Sequence, residues 1–471
     1  MNTPTRGAGT SAVSRPALLY GLFAGLFLAF SAGAQEIELD SLPGPSISPD
    51  ETPVDPLDSL VVEALDSHPG IQAALTRILA LEAQVPQAGA LPDPTLSVGL
   101  MNLPLPDFNL SADGMAMASF QLSQTLPPRG LRHAREESAQ ARVAVARARV
   151  EVARWSVTTQ LREAYFELLL VEMAEEVHHE AHLALEAFAA SAEAAYTQGL
   201  APQQDILRAQ TELAAIEEHL AELRQRRSVA LAGINSLLGR DSRESVEVTL
   251  PGWAEDFLDA DPGPGVLTSY LTNPELGGGF PTLAQLQEEA VRNHPELLLA
   301  RGQGEVARRE MQVARLDRRP GISVTGGYGM RSGRADMFSA GISVPLPVFR
   351  GRKQDQVIRE SEFEWEAEEL GVASLERSVR EEVARAHADL IRAREQVILL
   401  EEGVIPQARA TVESSAAAYR QGEVDFVSLM EAYAVLFRNE IELAHLTAGL
   451  GQELARLEQA VGARISRRED R

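Results

Sequence analysis

From Thr95 to Leu103, Leu96, Val98 and Leu100 alternate with Thr95, Ser97 and Gly99. From Ala116 to Ser123, Ala116, Ala118, Phe120 and Leu122 alternate with Met117, Ser119, Gln121 and Ser123. The second half of the chain repeats the device: Ile322, Val324, Tyr328 and Met330 alternate with Ser323, Thr325, Gly327 and Gly329, and Phe338, Ala340, Ile342 and Val344 with Met337, Ser339, Gly341 and Ser343. A period of two predicts four β-strands. Each is about nine residues long with one greasy face and one of small polar residues, the pattern of a barrel with lipid outside and water inside. The alternative, a hairpin lying on a soluble core, would carry charged residues on its outer face where these strands carry Ser, Thr and Gly.

Around the strands the pattern is helical. One helix is expected from about Leu57 to Gly89 and its counterpart from Thr282, which forms a capping box with Gln285, to about Arg318. His68-Pro69 and His294-Pro295 interrupt both, because proline disfavours a helical residue before it. After each strand pair come a proline-rich corner and a very long helix. Residues 130–196 and 352–419 are nearly free of Gly and Pro, with Gly371, Gly403 and Pro406 the exceptions. At 1.5 Å per residue each reaches roughly 100 Å. Val379, Val383, Ala386, Leu390, Ala393, Val397, Leu400 and Val404 recur in steps of four and three, as do Val157, Leu161, Ala164, Leu168 and Val171. This is a coiled-coil seam. Shorter helices, from Pro202 to about Leu238 and from Asp425 to about Val461, run back alongside.

These parts form an internal duplication. Leu57, Leu60, Ala64, His68, Pro69, Pro94, Ser97 and Val98 match Leu283, Leu286, Ala290, His294, Pro295, Pro320, Ser323 and Val324 at a constant spacing of 226. Leu126-Pro127 with Arg129-Gly130 matches Leu346-Pro347 with Arg350-Gly351, and Ala195-Tyr196-Thr197-Gln198-Gly199 matches Ala418-Tyr419-Arg420-Gln421-Gly422. Ordered His-Pro, Leu-Pro and Tyr-x-x-Gly landmarks mark a repeat, not chance similarity of alanine-rich helices. The expected organisation is a first repeat at 57–239, a linker at 240–281 rich in Gly and Pro, a second repeat at 282–463 and a charged tail at 464–471.

Composition narrows the function. The 471 residues contain no cysteine, which excludes a disulfide framework, a thiolate metal site, a cysteine nucleophile and a lipid-modified N-terminal Cys. Aromatics make up only 5% of the chain, the balance of long helices packed through small side chains. The first 34 residues carry Arg6 and Arg15, an apolar run from Ala17 to Phe30 and then Ser31-Ala32-Gly33-Ala34, which reads as a secretory signal peptide. An acidic, proline-containing segment follows at 35–56. The apolar run is shorter than the roughly 20 residues of a membrane-spanning helix, so an uncleaved anchor is the lesser reading. The net charge of −25 argues against nucleic acid as a partner. Enzymatic motifs are poor. Gly302-x-Gly304 follows a helical stretch and not a strand, and His179-Glu180-Ala181-His182 lacks the extra residue of a zincin helix. No catalytic residue or cofactor is expected.

Two clusters leave alternatives open. His178 and His182 stand one helical turn apart beside His179, a spacing that suits a transition-metal pair. Yet the seam continues by sevens from Val171 to His178, and from Leu168 through Glu175 to His182, so these histidines equally fit packing positions. Arg129, Arg132, Arg350, Arg352 and Lys353 at the strand-to-helix corners are either solvated helix starts or contacts to anionic headgroups.

A duplicated helix, hairpin, long helix and return helix with Tyr-x-x-Gly at each far turn, behind a signal peptide, resembles the TolC-like outer membrane efflux proteins over residues 57–462. The His-Pro and Pro-x-Pro-Thr segments look most like the heavy-metal efflux ducts of that family. The resemblance implies a mainly α chain with a small β part. It implies a homotrimer whose protomers each give four strands to one 12-stranded barrel in the cell outer membrane, continued by a helical tunnel across the periplasm. It implies a passive exit duct, heavy-metal cations being one candidate cargo, that works with a periplasmic adaptor and an inner-membrane pump. It places adaptor contacts at Gly199, Leu200, Gly422, Glu423 and Val424, and an entrance gate at Tyr419, Asp205, Asp425, Ser428 and Glu431. In the family's second repeat two acids follow the glycine by six and nine residues. Here those positions are Ser428 and Glu431, so one acid is missing; Asp425 either replaces it in part or simply caps its helix. The alternative class is a secreted or surface coiled-coil scaffold without transport activity.

Overall fold

The computed structural model describes residues 56–105, 109–111, 113–252 and 280–465. The signal peptide expected at 1–34, the segment that follows it up to residue 55, the linker expected around Trp253 and the tail from 466 lie outside the described residues.

The first repeat consists of α1 (Pro56–Ser67), α2 (Pro69–Glu82), α3 (Gln84–Gly89), β1 (Thr95–Met101), β2 (Met117–Leu126), α4 (Leu131–Thr197) and α5 (Gln203–Leu238). The second consists of α6 (Leu283–Asn293), α7 (Pro295–Asp317), β3 (Ile322–Met330), β4 (Met337–Ser343), α8 (Gln354–Ile398), α9 (Ile405–Gln421) and α10 (Phe426–Val461).

Both His-Pro pairs end one helix and start the next. His68 has extended backbone, and its Nδ1 accepts from the Gly70 amide at 3.2 Å. The capping box at α6 forms on both sides, Thr282 Oγ1 accepting from Gln285 N and Gln285 Oε1 from Thr282 N. The helix expected to run unbroken from Pro69 to Gly89 divides once more at Ala83, just before Pro86, which cannot donate to a carbonyl one turn back.

The seam of α8 is buried from Val379 through Val397. Its expected continuation at Leu400 and Val404 is only half-buried. A π-helical turn at Leu399–Val404 intervenes, and burial resumes one residue late at Ile405 and Ala408. The cause is Pro406, whose ring would collide with the carbonyl four residues back in a regular helix. A wider turn absorbs the clash and shifts the register. In α4 the stripe runs Val157, Leu161, Leu168, Val171, then Ala174, His178, Ala181 and Leu185. Ala164 is half-buried, and Glu175 and His182 fall outside the stripe.

Each repeat has its own core. The first joins Leu57, Val61 and Ala64 of α1 to Leu161, Tyr165 and Leu168 of α4 and Ile234 of α5. The second joins Leu286 and Ala290 of α6 to Val383 and Leu390 of α8 and Leu450 and Leu457 of α10. At about 1.5–3 kcal/mol per fully buried aliphatic side chain, these stripes hold the helices in register. The linker begins inside the first core: Val246 and Val248 are buried, and the Tyr165 hydroxyl donates to the Thr249 carbonyl and accepts from its amide, both at 2.8 Å. Between repeats, α10 lies against α4 where Gly451 meets Phe166; a Cβ on Gly451 would come 2.2 Å from the ring. One turn from Phe166 along α4, Arg162 forms a buried ion pair with Glu458, two turns past Gly451.

The strands form one antiparallel sheet in the order β1-β2-β3-β4. The register places Val98, Phe120, Tyr328 and Phe338 in one rung and Ser97, Gln121, Gly327 and Ser339 in the next, on opposite faces. Among the described residues nothing covers the apolar face: Leu96, Val98 and Leu100 are 60–65% exposed, and Phe338 and Ile342 are 77% and 74% exposed. Both edge strands, β1 and β4, lack a second neighbour among the described residues. Among the described residues these strands therefore do not lie on a soluble core.

Candidate functional site

The two far turns are built alike. At the end of α4, Leu200 N donates to the Ala195 carbonyl and Gly199 N to the Tyr196 carbonyl, both at 2.9 Å. At the end of α9, Glu423 N donates to Ala418 at 2.9 Å and Gly422 N to Tyr419 at 3.0 Å. This double bond closes a helix only through a left-handed residue, and Gly199 and Gly422 have φ of +73° and +72°. Leu200 is 77% exposed, Glu423 is exposed and Val424 half-buried. The residues assigned to adaptor contact thus share the surface of the two turns.

Behind the turns, Phe426, Met430, Ala192, Ala209 and Ile216 pack α4, α5 and α10 together. The Tyr419 ring meets Phe426 edge-on, centroids 5.6 Å apart. The buried Tyr419 hydroxyl has no hydrogen-bond partner among the described residues. Burial, then the charge of Asp205, raises its pKa above the ordinary tyrosine value. Asp205, in the first turn of α5, is itself buried. Its pKa is raised by burial and by the nearby Asp425 carboxylate, with Arg208 opposing. Asp425 caps α10, its carboxylate accepting from Ser428 N at 2.9 Å, and hydrogen bonding to the Ser428 side chain, then to its amide, holds its pKa below the usual value. So Asp205, Tyr419 and Asp425 are brought together where the second-repeat turn meets the first-repeat return helix.

The repeat makes sense of the missing acid. The spacing of 223 that relates Gly199 to Gly422 relates Asp205 to Ser428. The acid absent from the second repeat stands at the equivalent place in the first. Asp425, Ser428 and Glu431 are all exposed, at spacings of three that share a face of α10. Glu431 borders a groove of about 270 Å³ with Arg208, Glu212, His219 and Tyr433. Burial pushes Tyr433 up to about 12. Arg208 and Tyr433 had no signal in the sequence, because only the crossing of α5 with α10 brings them to the acids.

The histidine cluster divides. His178 is buried, its Nδ1–H donating to the Ala174 carbonyl at 2.7 Å and its ring edge-on to Phe437 at 5.1 Å. Burial lowers its pKa, so the ring packs neutral. His179 points to the exposed side, beside Glu172, Glu175, Glu176 and Glu217. His182 Nε2 lies 3.4 Å from Glu217. The three rings do not converge, and among the described residues no three His, Asp or Glu side chains are placed to share a metal ion. Among the described residues no helix is long and apolar enough to cross a membrane.

A family model described as "Outer membrane efflux protein" matches residues 60–240 and 286–463, that is, both repeats. Among curated proteins the chain is 25% identical over 403 residues to Protein CyaE of Bordetella pertussis, covering 80% of this chain and 81% of that protein. It is 23% identical over 297 residues to Outer membrane protein TolC of Vibrio cholerae, covering 57% of this chain and 66% of that protein, just under two thirds of its length. The fold is similar to the outer-membrane channel OprN, with a TM-score of 0.70 at 20% identity over 87% of this chain and 90% of that one. A matched family spanning both repeats, over a channel fold with an uncovered apolar sheet, places the protein in the outer membrane with its helices in the periplasm. The chain belongs to the outer membrane efflux protein family.

Proposed function

We propose that three copies of this chain form one passive exit duct, each giving four strands to a 12-stranded barrel, with the long helices continuing as a tunnel that receives cargo from an adaptor and an inner-membrane pump. The sheet carries the reading. Four strands cannot enclose a lumen, and an open edge in lipid leaves backbone groups unsatisfied at several kcal/mol each. Pairing β1 of one copy with β4 of the next satisfies both edges and turns the Ser, Thr and Gly face inward. At the periplasmic end the greasy alternation of β4 continues through exposed Leu346 and Val348 to Arg350, Arg352 and Lys353, which suits headgroup contact. A scaffold without transport would need none of this. Deleting the gene is expected to sensitise cells to the cargo of the partner pump, with full rescue by the intact chain. For heavy-metal cargo the sensitising agents are Zn, Co, Cd or Cu ions; sensitivity to organic drugs alone would set the metal reading aside.

At the entrance, Glu431 and Asp425 repeat three times around the axis. Carboxylates 4 Å apart repel by about 1 kcal/mol per pair in water, more where water is excluded. This favours a bound cation or a wider opening. Glu431→Gln is expected to lower cation preference in single-channel recordings. Asp425→Asn, which keeps a good helix cap, should do so more weakly. Unchanged selectivity in the double variant would remove both acids from the gate.

Acidity should act through Asp205. Its folded pKa is raised, so the stability it lends the packing of α5 against the second-repeat turn is fully present below the unfolded value of about 3.9 and is lost as pH rises through the folded value. If this packing holds the entrance shut, acidification should therefore tighten it, measured as an open probability that falls as pH is lowered toward the ordinary aspartate range. Asp205→Asn should flatten that dependence; an unaltered profile would exclude this carboxyl.

A further inference from the structure

The polar face of the sheet departs from Ser, Thr and Gly at one end. Of the nine methionines in the chain, Met101, Met115, Met117, Met330 and Met337 cluster at the far end of the two hairpins. Met101, Met117 and Met337 fall on the polar face, in line with Gly99, Ser119 and Gly329. Met101 is the direct cross-strand partner of Met117. The Met117 sulfur lies 2.5 Å from the point a Cβ on Gly329 would occupy, and Met337 Cβ lies 3.8 Å from the same point. Gly329 thus leaves the space above β3 that the Met117 thioether occupies, with the Met337 side chain starting beside it. Core filling, the usual work of methionine, does not explain them, since Met101 is 50% and Met337 40% exposed. Lipid contact does not either, because they stand on the face opposite Val98 and Phe338.

We infer that Met101, Met117 and Met337 form a thioether site for a soft monovalent cation, Cu(I) or Ag(I), on the lumen side of the outer end of the barrel. The inference rests on the inward-facing polar sheet proposed above and adds the ligand class. Thioethers are neutral at every pH and prefer soft d10 cations to Zn(II) or to hard ions such as Mg(II). Three in a row suffice for the low coordination number such cations accept, and no cysteine competes.

The test titrates Ag(I) into the purified full-length protein in chloride-free detergent solution, following methionine methyl resonances by NMR and heat by calorimetry. The expected result is about one Ag(I) per chain, with shifts confined to the three methyls that M101L, M117L and M337L individually remove. The triple Leu variant, nearly isosteric, should raise Kd at least tenfold. M330L, on the opposite face of the same sheet, should leave it unchanged. Equal shifts at Met330 and Met430, unchanged binding in the triple variant, or displacement by equimolar Zn(II) would each overturn the site. Heat-modifiable mobility, run in parallel, separates the causes. An intact barrel without silver binding sinks this inference alone, whereas a protein with no heat-modifiable form loses the lumen and the site together.

Discussion

Arginine at Val98 is expected to abolish the heat-modifiable form of the protein in membranes, while arginine at Ser97 leaves it largely intact. The two positions are neighbours in β1, and the register puts them on opposite faces: Val98 in the rung of Phe120, Tyr328 and Phe338, Ser97 in the rung of Gln121, Gly327 and Ser339. A charge on the lipid face near the midplane costs about 2–4 kcal/mol, and three copies in one barrel incur it three times. A charge facing a wet lumen stays hydrated and incurs no such cost. Ile342→Arg, 74% exposed on the apolar face of β4, should behave like Val98→Arg. Equal tolerance on the two faces, read as heat-modifiable material per total chain, would contradict the assignment of lipid and water sides.

Removing Arg162 should be nearly as damaging by a different route. Its side chain is 10% exposed and that of Glu458 7%, and the pair ties α4 of the first repeat to α10 of the second. The Glu458 carboxylate also accepts from Ile465 N at 2.9 Å. Arg162→Met leaves a buried carboxylate with one amide for company, at about 3–5 kcal/mol. Glu458→Met in the same chain removes the stranded charge and should recover most of that loss, since an apolar replacement of a whole buried pair is often neutral. Thermal unfolding of the single and double variants measures it. A double variant no better than Arg162→Met alone would show that the loss comes from packing and not from charge.

How much of this was legible in the sequence depends on how local the cause is. The strands, the capping box at Thr282 and the turns at Gly199 and Gly422 rest on residues a few positions apart, and the structure has them within three residues of the expected bounds. The seam of α8 was legible as far as Val397. Beyond it, seven-residue arithmetic could not anticipate that Pro406 would widen a turn and shift the register by one. The same arithmetic failed at Glu175 and His182, because the α4 stripe drifts as a real helix does against a strict heptad. Near the second-repeat turn, Asp425 and Glu431 stand out in the sequence by their spacing from Gly422. The burial of Asp205 beside Tyr419 was not foreseeable, since it requires the first-repeat return helix to pack under the second-repeat turn. Contacts between repeats, Arg162 with Glu458 and Phe166 with Gly451 among them, left no pattern within either repeat.

The claim that three chains share one barrel is tested most directly by disulfide cross-linking of its two open edges. The chain has no cysteine, so every introduced pair reports only itself. One cysteine is placed on β1, at Thr95, Ser97 or Gly99, and one on β4, at Ser339, Gly341 or Ser343, and intact outer membranes are oxidised and denatured. At least one of these pairings is expected to give covalent dimers and trimers with nothing larger, because the third bond closes the ring. A ladder that continues past three chains, or no cross-link at any register, would contradict the closed trimeric barrel.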